Sequence, residues 1–137
     1  MANMEGLYID AVTVKGSKKA FSVSIEQLDE TEQNFEPFDL SPYSVRFQIL
    51  GAAEADAEVL VEKIITQNTD EEEEGIIDNP EQGTFIFTIT KEDTEKLGLG
   101  KFPLCIKIID AASEEDVFIL TEGGYQGEFS KLQVVQV

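Results

Sequence analysis

Thr84-Phe85-Ile86-Phe87-Thr88-Ile89-Thr90 is built only from β-branched and aromatic side chains, the residues that suit a pleated, half-buried surface. A turn signal, Asn79-Pro80-Glu81-Gln82-Gly83, precedes it, so the stretch reads as a strand with a defined start. Thr90-Lys91-Glu92-Asp93 follows, with a hydroxyl able to cap a helix and an acid three residues later. Gly98-Leu99-Gly100 then stops the helix, which predicts a short helical turn near residues 91–97. Beyond it, Phe102, Leu104, Ile106 and Ile108 recur at every second position, the inner face of another strand.

The same period of two runs outward from this unit. Phe21, Val23 and Ile25 alternate with polar residues, as do Val45, Phe47 and Ile49. Ile9, Val12 and Val14 predict a first strand with an irregularity near Ala11, and Val59, Val61, Ile64 and Ile65 predict one across residues 58–66. Residues 117–121 and 129–137 complete the set, while residues 52–57 favour helix over too short a span to hold one. About eight or nine short strands, each with one apolar face, require two packed sheets or a closed barrel. At 137 residues, with no internal repeat and no linker, residues 1–137 are expected to form a single β-sandwich domain.

Composition narrows the function. The chain carries 28 acidic against 10 basic residues, a formal charge of −18, so phosphate backbones and anionic headgroups are repelled. Neither nucleic acid nor a membrane is an expected partner. The first six residues lack a basic segment and an apolar run of signal-peptide length, which predicts synthesis in a cytoplasm. There is no histidine or tryptophan, and Cys105 is the single cysteine. General-base, imidazole–metal and thiol chemistries therefore lose their usual residues, and no enzyme and no cofactor are expected. Cys105 lies in an apolar run and is read as a small buried hydrophobe. Asp70-Glu71-Glu72-Glu73-Glu74 and the acids of residues 110–116 lack the spacing of a calcium loop and are read as solvated loops.

Residues 83–110 resemble the E-strand, helical corner and F-strand of an immunoglobulin-like sandwich. Gly100-Lys101-Phe102-Pro103-Leu104 matches the corner, with Phe102 in place of the tyrosine and Leu104 where a disulfide cysteine would stand. The resemblance implies an all-β fold, an immunoglobulin-like antiparallel sandwich of two sheets. A further resemblance rests on Phe38-Asp39-Leu40, Ile64-Ile65-Thr66, Gly75-Ile76-Ile77-Asp78, residues 83–90 and 100–110, Leu120-Thr121-Glu122-Gly123-Gly124 and Gly127-Glu128-Phe129. These are similar to the N-terminal domain of upper baseplate proteins of tailed bacteriophages, over roughly residues 7 to 135. That implies a structural piece of a virion, assembled in the bacterial host cytoplasm, though this chain lacks the stalk or second domain of longer members. Its partners would be other virion proteins or copies of itself, in a homo-oligomer or as a subunit of a larger assembly. A free-standing calcium- or carbohydrate-binding sandwich is the alternative.

Asn34-Phe35-Glu36-Pro37-Phe38-Asp39-Leu40-Ser41-Pro42-Tyr43 supplies the candidate contact. It holds three aromatics and two prolines without strand periodicity, and aromatics on loops anchor interfaces. Phe35, Pro37, Phe38 and Tyr43 are the candidate interface residues; equally, Phe38 and Leu40 could be plugs of the core. The apolar end of the chain, from Leu132, predicts a strand that needs a neighbour within the sheet or across a subunit boundary.

Overall fold

A computed structural model of the chain describes residues 9–52, 57–119, 121 and 130–136. The readings of the first residues, of most of residues 52–57 and of the segment 122–129 lie outside the described residues. Among the described residues, eleven strands, one 3-10 turn and one helix follow in order. They are β1 (Asp10–Val14), β2 (Lys19–Ser24), β3 (Glu26–Leu28), β4 (Phe35–Pro37), β5 (Tyr43–Leu50), β6 (Val59–Ile65) and β7 (Gly75–Asn79). The turn Pro80–Gln82, β8 (Thr84–Ile89), α1 (Lys91–Leu97), β9 (Gly100–Asp110), β10 (Asp116–Ile119) and β11 (Lys131–Val135) complete the chain.

The larger sheet runs β1-β11-β9-β5-β6, with β10 also pairing β9, and the smaller runs β2-β8-β7. Their inner faces meet at Phe47 of β5 and Phe87 of β8, whose ring centroids stack 4.6 Å apart. Val45, Phe47 and Ile49 face Phe85, Phe87 and Ile89 across one continuous core, which Ile106, Ile108 and Leu132 extend. This strand order is that of an immunoglobulin-like sandwich, and the fold is all-β. One pair departs from the expected antiparallel arrangement: β1 runs parallel to β11.

Local chemistry accounts for the corner. Thr90 caps α1 by accepting from the Asp93 N–H at 3.1 Å, and the Asp93 carboxylate accepts from the Thr90 N–H at 2.9 Å. Gly98, with φ 76°, ends the helix in a backbone conformation that costs other residues. Leu104 then enters the core, as the alternation predicts.

Two readings need correction, and the expected neighbour of the last strand lies within the sheet. In β1 the buried residues are Ala11 and Thr13, while Val12 is 43% exposed, so the apolar valine does not mark the inner face. A strand's faces exchange with a one-residue slip, and pairing to β11, not hydrophobicity, sets this register. Cys105 is half-buried because it falls between Leu104 and Ile106, on the outer face. The apolar end of the chain is no open edge, because β11 is paired by β9 on one side and β1 on the other.

Candidate functional site

Residues 26–37 form a two-stranded ribbon separate from both sheets, where the sequence carries no alternation long enough to announce a strand. Its pairs are Glu26 with Pro37, Gln27 with Glu36, and Leu28 with Phe35. Three residues a strand make a marginal hairpin alone, so its ends need ties. At the tip the Asp29 carboxylate accepts from the Thr31 N–H at 3.0 Å and the Thr31 hydroxyl at 2.6 Å. These bonds, the Thr31 hydroxyl first, hold the Asp29 carboxyl below the usual carboxylate range. At the base the Phe38 N–H donates to Ile25, the Ile25 N–H to Gly83 and the Leu40 N–H to Pro80. Gly83 has φ +72°, and a Cβ there would meet the Ile25 and Phe38 carbonyls at 2.5 and 2.6 Å. Only glycine fits that junction.

The four aromatic and proline candidates do not share one surface. Phe35 is 51% exposed and Pro37 is exposed, both on β4. Phe38 is 6% exposed, part of the core beside the fully buried Leu40, and cannot serve as a surface anchor in this fold. Tyr43 is half-buried and stacks on Phe38 with centroids 5.5 Å apart. The difference between Phe35 and Phe38 is invisible in composition; it follows from where the ribbon joins the sandwich. Around Phe35 the chain places Glu26, Asp29, Glu30, Glu32, Glu36 and Asp39, with no lysine or arginine between Lys19 and Arg46. The ribbon thus exposes an aromatic side chain within an acidic stretch of the chain.

At the other end of β8 lies a site the sequence did not reveal. Lys63 of β6 is 8% exposed and points into the molecule. Its ammonium donates to the Glu73 carbonyl at 2.6 Å, the Thr88 carbonyl at 2.6 Å and the Asp93 carboxylate at 2.5 Å. Three donors meet three acceptors, so the charge is fully satisfied. The available signal was positional: Lys63 lies midway between Val61 and Ile65, both buried. The acidic run sits alongside. Asp70 to Glu73 turn their side chains outward, while the backbone is tied inward by Lys63 and by the Thr88 hydroxyl, which donates to the Glu71 carbonyl. Among the described residues no group of three or more acidic or cysteine side chains is placed to hold a metal ion. No described helix is long and apolar enough to cross a membrane.

No protein-family profile matches the chain, and no curated protein matches it. Among solved structures, the NK cell receptor NKp44, described as a triggering partner in natural cytotoxicity, is 14% identical with a TM-score of 0.49, over 92% of this chain and 98% of that one. The ectodomain of the teleost fish polymeric Ig receptor is 14% identical with a TM-score of 0.39, and this chain spans 50% of its length.

Proposed function

We propose that this chain is a non-enzymatic interaction domain, docking to a protein partner through the β3–β4 ribbon as a structural or accessory subunit of a larger assembly. The resemblance to phage baseplate domains supplies the setting of that proposal: a virion, with other virion proteins or copies of this chain as partners. The observation that carries the reading is Phe35, half exposed on a two-stranded ribbon that pairs with neither sheet. Aromatic anchors at the centre of a polar rim dominate contact energies, because they bury area with few rotatable bonds. The surrounding acids oppose a second copy at this ribbon, so a different protein fits it better than self-pairing does. Sedimentation velocity over a range of protein and salt concentrations, with capture on intact phage particles, tests the reading. Phe35→Ser should weaken association by about tenfold or more with an unchanged melting temperature. A wild-type chain that stays monomeric at high concentration and high salt, and that no particle protein retains, overturns it.

A further inference from the structure

The outer face of the larger sheet carries a groove of about 400 Å³ near the start of β5. Ser44 and Arg46 of β5, Ile64 of β6 and Ile109 of β9 form its floor. They belong together by register, since Ser44 pairs with Ile109 and Arg46 with Ile64. Gln67, after β6, and Glu114, in the loop after β9, form its walls. We propose that this groove binds a neutral, hydroxyl-rich ligand of the sugar class. None of these residues belongs to the β3–β4 ribbon, and the inference does not rest on the assembly reading.

Two side chains in the floor are underused. Ser44 is only 5% exposed, and no described residue hydrogen-bonds its hydroxyl. Lining the groove, that hydroxyl is open to a ligand and can both donate and accept. Arg46, the chain's only arginine, donates from one terminal nitrogen to Asp116 at 3.1 Å. Its Nε is buried with no hydrogen-bond partner among the described residues. The guanidinium is therefore committed on one side only.

The class of ligand follows from what the groove offers and withholds. β5 is paired on both sides, by β6 and β9, so its main-chain groups are used and a peptide cannot bind there by adding a strand. Recognition falls to side chains. Arg46 donates, Glu114 accepts, Ser44 does both, and Gln67 gives its amide nitrogen to the Ser41 carbonyl while keeping its oxygen. An anion would face Glu114 and a net charge of −18, and a cation would face Arg46. A neutral hydroxyl both donates and accepts, which suits every one of these groups, and the partly exposed Ile64 offers apolar ground for the C–H face of a sugar ring. The volume is that of a small-molecule site.

Titration of the ¹⁵N-labelled full chain with glucose, galactose and N-acetylglucosamine tests this, alongside acetate at matched ionic strength and the neutral amide N-acetylglycinamide. At least one sugar should give saturable shifts at the amides of residues 44, 46, 64, 67 and 109. Ser44→Ala and Arg46→Lys should each weaken that sugar roughly three- to tenfold, the worth of one hydrogen bond. Glu114→Gln, at an exposed loop position, provides a variant whose fold is not at stake and should also weaken it. The proposal is overturned if none of the three sugars saturates, if acetate or the amide moves the same residues as strongly, or if folded variants bind as well as wild type.

Discussion

The two ends of β8 solve the same problem in different ways. Near Thr84, the β3–β4 ribbon is held by a few main-chain bonds to residues 25, 80 and 83 and by short side-chain turns at Asp29 and Asp39, and it leaves Phe35 in solvent. Near Ile89, one lysine with a buried ammonium joins β6, β8, the acidic loop and α1. Thr94 of α1 extends that cluster by accepting from the Gly16 N–H at 2.9 Å, from a turn 78 residues earlier. One end is held by main-chain bonds and surface side-chain turns, the other by a buried charge and the acceptors gathered around it. A contact surface can be spared at the first end because the second end and the core hold the sandwich.

Removing the cation should therefore have the largest effect. Lys63→Met keeps the bulk but leaves the Asp93 carboxylate and two carbonyls facing an apolar chain, and breaking a buried pair from one side costs about 3–5 kcal/mol. Chemical denaturation reads this directly. A loss below about 1 kcal/mol would mean that water already reaches the cluster, and the contrast between the ends would fail.

Next comes a pair of substitutions three residues apart. Phe38→Ala should cost about 3–5 kcal/mol, and Leu104→Ala about 2–5 kcal/mol, because each leaves a cavity in the core. Phe35→Ala should stay within about 0.5 kcal/mol, as expected of an exposed side chain. Equal losses at Phe35 and Phe38 would show that the ribbon is packed against the sandwich and is not free to meet a partner. A combined change of both residues would confuse contact with folding, so the single variants are needed.

This pair also marks what could be read in the sequence. Strand, capped helix and strand from residue 84 to 108 were legible because each signal is local: alternation, a capping box, a glycine stop. β5 was legible for the same reason, with Val45, Phe47 and Ile49 all fully buried. β3, β4 and β7 were not, because Glu26–Leu28, Phe35–Pro37 and Gly75–Asn79 carry no run of alternating apolar residues and are fixed by the partners they meet. The inward Lys63 was hidden by its charge, and the Ser44–Arg46 floor by the fact that a groove belongs to three strands at once.

A smaller effect concerns Cys105 on the outer face. Burial raises its thiol pKa above the ordinary value; nearby Lys107 opposes the shift and Asp116 adds to it. The thiolate is the reactive form, so labelling by a disulfide reagent in native buffer should be slower than that of a free thiol. It should accelerate as pH rises past the ordinary cysteine range. Labelling as fast as free thiol at neutral pH would place Cys105 in open solvent.

The smallest effect separates the ends by pH. Hydrogen bonds from the Ser41 hydroxyl and, less, the Ser41 N–H hold the Asp39 carboxyl below its ordinary range, as those of Thr31 do for Asp29. A carboxyl depressed in the folded state contributes stability that is present above its unfolded pKa, about 3.9, and is lost as pH falls through the folded value. Asp39 is exposed and Asp29 partly so, so the contribution is slight, and relief of repulsion among 28 acids acts in the opposite direction over the whole chain. The local signal is best read at the carboxyl carbons themselves. In an NMR titration, the Asp29 and Asp39 midpoints should lie below those of exposed acids without such turns. Ser41→Ala should move Asp39 upward and leave Asp29 in place. If both carboxyls titrate at ordinary values in the wild type, the turns that tie the ribbon are not formed in solution, and the exposed position of Phe35 would have to be explained by a loop and not by a hairpin.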